Sequence, residues 1–312
     1  MATSRLLDLA GYRQPIDLDR PFHPAAVPAP AAGLGALART VLGLLETDPA
    51  AGRLGLPPGR VEHLDDGTSR RLLRAVLTVR APGPLPEAAV APLDALLGGE
   101  RTMRGSVDAS TLPVIAEQVP RTAYPAARCT ELWRGDITTL AADAIANAAN
   151  SALLGCYRPM HPCVDNAIHN AAGPRMRDDC AVIMTLQGSP EPTGTAKITR
   201  GYHLPARYVL HTVGPVVDGP LGAGHAADLA GSYRSCLEVA AAVDGVRTVA
   251  FCGISTGVFG YPKPAAARVA LNAVADWMEA HPGRLDRVVF NVYGADDHTA
   301  YLRALTDWTR RS

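Results

Sequence analysis

The sequence predicts an α/β fold, a sheet with helices on both faces, preceded by a helical extension. Three observations predict it. From about Thr130 short apolar runs ended by turn residues alternate with longer helical patterns, the signature of a sheet that binds ligands outside the carboxyl ends of its strands. The first 125 or so residues are rich in Ala, Pro, Gly and Leu and carry helical patterns between breakers. The 312 residues, 47% of them apolar, suffice for one large domain or a domain with a substantial extension, and need no disulfide staples.

In the opening segment, "MATSRLLDLAGYRQ", Arg5 and Asp8 interrupt the apolar positions, so it lacks the apolar core of a signal peptide. No run approaches the length of a membrane span, and the chain reads as cytoplasmic with no membrane partner. "LGALARTVLGLLE" and "TSRRLLRAVLTVR" predict helices, separated by "GLPPGR" and "APGPLPE". His63, beside Asp65 and Asp66, reads as an exposed polar side chain rather than a ligand. Further on, "ADAIANAAN", "ARYVLHTVGP", "VRTVAFCGIS" and "DRVVFNVYG" read as buried strands. Between them "VDNAIHNAAGPRMRDDCAVIM", "DLAGSYRSCLEVAAAV" and "PKPAAARVALNAVADWMEA" read as helices, and "HTAYLRALTDWTRR" as a closing one. The expected division is an extension over 1–128 and a sheet domain over 129–312.

Thirty basic residues balance thirty acidic ones, so net charge points to neither nucleic acid nor a membrane surface. Six cysteines, sparse and without framework spacing, suit a reducing compartment in which clustered thiols bind metal.

The chemistry-bearing motifs fall at the strand ends. In "RGDIT", Asp136 sits in a glycine-preceded turn, where it can accept from an exocyclic amine or cap the next turn. "NAANSALLG" crowds Asn147 and Asn150 against alanines, which lets a ligand approach while the amides bond to hydroxyls. "GISTGVFGYPK" puts glycines around Ser255 and Thr256 between a strand and a helix, a loop able to offer N–H groups to a phosphate. In "GCYRPMHPC", Cys156, His161 and Cys163 are the ligand types zinc prefers, and Pro159 and Pro162 restrict the backbone around the histidine. Two unrelated thiols are the competing reading. Three protein ligands leave a fourth position free, as in catalytic zinc, unless another thiol such as Cys180 closes the site. Asp165 and His169 share a helical face at i and i+4; the acid is placed to support a ligand or contact substrate, the histidine to pack.

Taken together, "GDIT", "NAAN", "VDNAIHNAAG", "YVLHTVGP" and "GISTGVFGYP" resemble the macrodomain family of ADP-ribose-binding modules and hydrolases, from Leu132 to the C-terminus. With "CYRPMHPC" in place of the usual polyglycine run, the sequence looks most like the zinc-containing branch of protein ADP-ribose hydrolases. "LLRAVLTVRAPGPLPEAAVAPLDALLGGE" looks like the helical extension of that branch.

The resemblance implies a three-layer α/β/α sandwich with a mixed central sheet. It implies that Asp136 holds the adenine amine, that Ile137 helps to frame the base, and that Asn150 contacts the distal ribose. The loop of Ser255, Thr256, Gly257, Val258, Phe259 and Gly260 would cradle the diphosphate and close over that ribose. Cys156, His161 and Cys163 would bind Zn2+, with Asp165 beside the reactive sugar, so that Asn150 and Asp165 are the catalytic candidates. Zinc would either polarise the ribose side of the scissile bond or lower the pKa of a bound water. The implied partners are ADP-ribose and mono-ADP-ribosylated protein, and the implied reaction is cleavage at ribose C1″, the link being an ester to Asp or Glu. A non-catalytic ADP-ribose reader and an O-acetyl-ADP-ribose deacetylase are the alternatives.

Overall fold

The computed structural model describes residues 6–25, 33–56 and 59–308. The first five residues of the opening segment, the breaker prolines at 57–58 and the last four positions of the chain lie outside the described residues.

A short helix α1 (Leu9–Arg13) precedes a helical unit of α2 (Gly33–Leu44), α3 (Pro49–Arg53), α4 (Asp66–Val79) and α5 (Glu87–Arg104). Next come β1 (Val107–Asp108), α6 (Ile115–Gln118), β2 (Thr130–Arg134), β3 (Leu140–Ala141) and β4 (Ala144–Ala149). They lead to α7 (Val164–Ala172), α8 (Pro174–Gln187), β5 (Ala196–Arg200) and β6 (Tyr208–Val213). Then follow α9 (Ala223–Ala241), β7 (Thr248–Phe251), α10 (Lys263–Ala280), β8 (Arg287–Val292) and α11 (Ala295–Thr306). His63 is exposed, as expected, and Asp65 caps α4 by accepting from the Thr68 N–H at 2.9 Å.

The six-stranded sheet has the order β2-β8-β7-β4-β6-β5, with every neighbour parallel except the antiparallel edge pair β5 and β6. The apolar runs of β4, β6, β7 and β8 are covered on both sides, as parallel strands require. The crossovers through α9 and α10 step along the sheet in the opposite sense to those through α7 and α8. Right-handed connections put α9 and α10 on the same face, where they pack on each other, while α7 packs on β4 and α8 on β5. The remaining short strands, β1 and β3, pair in parallel at the side.

Two departures from the sequence reading have physical causes. The single helix expected over "VDNAIHNAAGPRMRDDCAVIM" is two, because Gly173 takes φ 91° and Pro174 opens α8 without an N–H to continue the ladder. Strand β5 was not anticipated, since "AKITR" mixes charge with apolar positions. Its Lys197 is nonetheless buried, paired to Glu191 at 2.8 Å.

The buried apolar residues form two main cores. Leu42, Leu73, Val76, Leu93 and Leu96 pack among the helices of the extension. Tyr12, Ile16, Leu18, Ile115 and Tyr124, though amino-terminal to residue 129, pack in the core of the sheet. The Tyr12 hydroxyl accepts the Ile198 N–H of edge strand β5 at 3.0 Å. Among the described residues no helix is long and apolar enough to cross a membrane.

Candidate active site

The parallel strands β2, β4, β6, β7 and β8 all end on one edge of the sheet, and every motif singled out above follows one of those ends. After β2, Asp136 accepts from the Thr138 N–H at 2.9 Å and the Thr138 hydroxyl at 2.8 Å, both through Oδ1. The capping role is therefore present, and the exposed carboxylate keeps Oδ2 for another donor. Ile137 beside it is buried. After β8, Tyr293 is 81% exposed while its carbonyl accepts from the Arg134 Nε–H at 3.4 Å, which ties it to the strand carrying the Asp136 turn.

After β7, Ser255 adopts φ 62° and is buried, and its Oγ has no hydrogen-bond partner. The loop is held by Tyr261 N–H to Ser255 O at 2.9 Å and Val217 N–H to Phe259 O at 2.8 Å. Among the described residues, the N–H groups of Gly257, Val258 and Phe259 have no internal acceptor, so they can meet an anion. Gly260 has φ 71°, and a Cβ there would lie 2.8 Å from the Val217 carbonyl oxygen. Gly260→Ala is expected to cost about 1–3 kcal/mol of stability through left-handed strain and that contact, measured by urea denaturation.

After β4 the chain makes the cysteine loop. Asn150 gives its Nδ2 to the Gly155 carbonyl at 2.9 Å and accepts the Ala152 N–H at 3.0 Å. Leu153, Gly155, Tyr157 and Met160 all have positive φ, a concentration of left-handed residues that costs energy outside glycine. The turns bring the ligand atoms of Cys156, His161 and Cys163 within 4.8 Å of one another, with Cys156 Sγ 3.4 Å from His161 Nδ1. A tetrahedral zinc ion with ordinary bond lengths needs about 3.5 Å between S and N and about 3.8 Å between two sulfurs, so the donor set fits. Burial, with Cys156 beside it, pushes the Cys163 thiol upward, and ligation there would release a proton. Cys180 lies elsewhere, its Sγ 3.7 Å from His211 Nε2 in the core. Among the described residues no fourth His, Cys, Asp or Glu joins the three.

Beneath the loop, Asp165 is 5% exposed and accepts the Asn147 amide at 2.8 Å. Burial raises it to about 6 against that hydrogen bond and the charge of Arg177. Its Oδ1 is 3.4 Å from His169 Nε2, but burial keeps His169 well below its ordinary range and hence neutral. The acid thus ties the start of α7 to strand β4. Asn147 is fully buried and its Nδ2 bridges Asp165 to His211 Nδ1 at 3.2 Å, so its N–H groups are spent inside the protein rather than on a ligand hydroxyl, while its Oδ1 has no partner.

Sequence reasoning missed Asn166, whose Nδ2 reaches the carbonyls of Arg158 at 2.8 Å and His161 at 3.1 Å. It also missed Arg177, whose Nε holds the Leu154 carbonyl at 2.8 Å, and the exposed ring of Tyr293. Only Tyr293 had a readable signal, an aromatic directly after a strand.

Residues 146–270 match the Macro domain family. A protein-ADP-ribose hydrolase of Treponema medium is 41% identical over 242 residues, 78% of this chain and 89% of that protein. The chain belongs to the macrodomain family. A protein-ADP-ribose hydrolase of Staphylococcus aureus (strain MSSA476) is 48% identical over 174 residues, which are 55% of this macrodomain protein and 65% of that relative. A Trypanosoma brucei macrodomain solved in complex with ADP-ribose superposes with a TM-score of 0.54 at 38% identity, covering 64% of this chain and 76% of that one. The mixed sheet with helices on both faces is thus the expected three-layer macrodomain architecture.

Proposed function

We propose that this macrodomain binds ADP-ribose and hydrolyses it from mono-ADP-ribosylated protein, using zinc held by Cys156, His161 and Cys163. The observation that carries the reading is the gathering, on one sheet edge, of an exposed acid turn, a loop with open N–H groups and a three-donor cluster. The relatives named as hydrolases support the reaction class. On this reading Asp136 Oδ2 takes the adenine amine, Ile137 borders the base and the exposed Tyr293 ring offers it a stacking face. The N–H groups of Gly257, Val258 and Phe259, with Ser255, Thr256 and Gly260 shaping the loop, hold the diphosphate.

Asn150 keeps one amide hydrogen and one carbonyl lone pair beyond its loop bonds, enough to orient a ribose hydroxyl. Asp165, two residues beyond Cys163 and bonded to the Asn147 amide, is the second catalytic candidate, beside the reacting sugar. Zinc, when bound, supplies Lewis acidity beside the reacting end of the ligand. Cleavage at ribose C1″ releases ADP-ribose and the free side chain, with Asp or Glu esters as the proposed link. All six cysteines are free thiols, which supports a cytoplasmic setting.

The test is to incubate purified protein with mono-ADP-ribosylated protein, with and without chelator, while measuring zinc content. Release of ADP-ribose that persists in metal-free protein would overturn the metal-assisted reading. Asp136→Ala should weaken ADP-ribose binding about ten-fold to a hundred-fold by calorimetry, the worth of one hydrogen bond to a charged group. Unchanged affinity would reassign the adenine contact.

A further inference from the structure

The carbonyls of the cysteine loop are held by three side chains. Asn150 takes Gly155, and Asn166 takes Arg158 and His161, both from positions adjoining the loop. Arg177 differs because it also reaches into the extension. Its Nε donates to Leu154 O at 2.8 Å, while its Nη1 donates to Leu77 O at 2.7 Å and Arg80 O at 2.8 Å at the carboxyl end of α4. Its guanidinium lies 4.8 Å over the Tyr157 ring. Cys156 is therefore bracketed, two residues before and one after, by contacts to a side chain whose far end is set by the extension. The side chain is 4% exposed, and its rigid fork has no slack with which to serve one side and release the other.

The seam around Arg177 is polar. Asp94 of α5 accepts from Arg175 at 2.6 Å and lies 3.0 Å from His203 Nε2. The Gly83 N–H donates to Asp178 at 2.8 Å. A cavity of about 10 Å³, lined by Leu77, His169, Asn170, Gly173, Pro174 and Arg177, lies within it, and neither ring nitrogen of buried His169 makes a hydrogen bond, although Nε2 stands 3.4 Å from Asp165 Oδ1. The volume suits one water molecule. A seam joined by a few polar ties around such a gap opens at lower cost than an apolar core.

We infer that Arg177 is a positioning residue that couples the helical extension to the metal loop. Docking of α4 and α5 fixes the arm that orders residues 154–157, so metal affinity depends on the extension, and metal binding in turn steadies the extension. The inference rests on the assignment of Cys156, His161 and Cys163 as metal ligands.

Zinc affinity, measured by competition with a chromophoric chelator, should fall roughly tenfold in Arg177→Lys, within the usual span of coupling between sites. It should fall comparably in Asp94→Asn, which loosens the seam without touching the loop; a role of Arg177 confined to local packing would leave that variant unchanged. In the wild type, amide exchange across residues 76–83 should quicken when zinc is stripped. Tight zinc binding that is equal in wild type and both variants, folded by circular dichroism, with unaltered exchange, would overturn the coupling while leaving the ligand assignment standing. A wild type that binds no zinc would overturn both. If Arg177→Lys does not fold, Asp94→Asn and the wild-type exchange decide the matter.

Discussion

Cys156→Ser is expected to empty the metal loop and abolish most hydrolysis while leaving ADP-ribose affinity within about an order of magnitude. Cys156 is the better cysteine for the test because Cys163 also caps α7, its Sγ accepting the Asn166 N–H at 3.4 Å. Substitution at 156 thus removes a ligand without removing a cap. In the proposed site the adenine and diphosphate are gripped by the Asp136 turn and the loop from Ser255 to Gly260, away from the cysteines. Interactions made only at the reacting end affect turnover more than ground-state binding. Loss of several kcal/mol of Lewis-acid stabilisation corresponds to a fall in kcat of about 10²- to 10⁴-fold. Single-turnover release of ADP-ribose, calorimetry with ADP-ribose and elemental zinc analysis measure the three quantities. A folded, zinc-free variant working at the wild-type rate would make the ion structural and return the chemistry to Asn150, Asp165 and a positioned water.

Lys197→Met should be the most damaging of these substitutions for stability, at about 3–5 kcal/mol. Lys197 and Glu191 are both essentially without exposure and 2.8 Å apart. Glu191 also accepts from Gln187 at 2.9 Å and Thr195 at 2.6 Å, so it cannot turn to water when its cation is lost. Removing the ammonium strands a buried carboxylate without its counter-charge. Adding Glu191→Gln should recover much of the loss. Urea denaturation of the single and double variants measures both, and a double variant no more stable than Lys197→Met would show that lost packing, not the orphaned charge, is responsible.

What could be read in advance was local. The buried strands β4, β6, β7 and β8 announce themselves as apolar runs ended by turn residues, and the metal candidates lie within nine positions of each other. Gly173 and Pro174 even spelled out the break between α7 and α8, a signal outweighed by the length of the helical pattern around it. What could not be read was the burial of polar side chains by distant partners. Lys197 hides β5 because a lysine in a short segment argues for a surface until its glutamate is seen. Asn147 reads in the sequence as a residue open to ligand, whereas Asp165 and His211 both take its Nδ2 in the fold. Arg177 meets Leu77, 100 positions away, a separation that no spacing rule spans.

The placement of Tyr12 bears on how the protein can be divided. Because Tyr12, Ile16 and Leu18 lie in the sheet core together with Ile115 and Tyr124, the extension's own core is spliced into the sheet domain rather than prefixed to it. A chain begun at residue 129 would lose the hydroxyl that occupies the Ile198 N–H and leave β5 as a bare edge, a template for strand addition between molecules. Deleting the helices α2 to α5 while keeping residues on both sides of them would spare that edge. The economical way to separate the two units is therefore an internal excision, whereas simple truncation would yield a self-associating fragment.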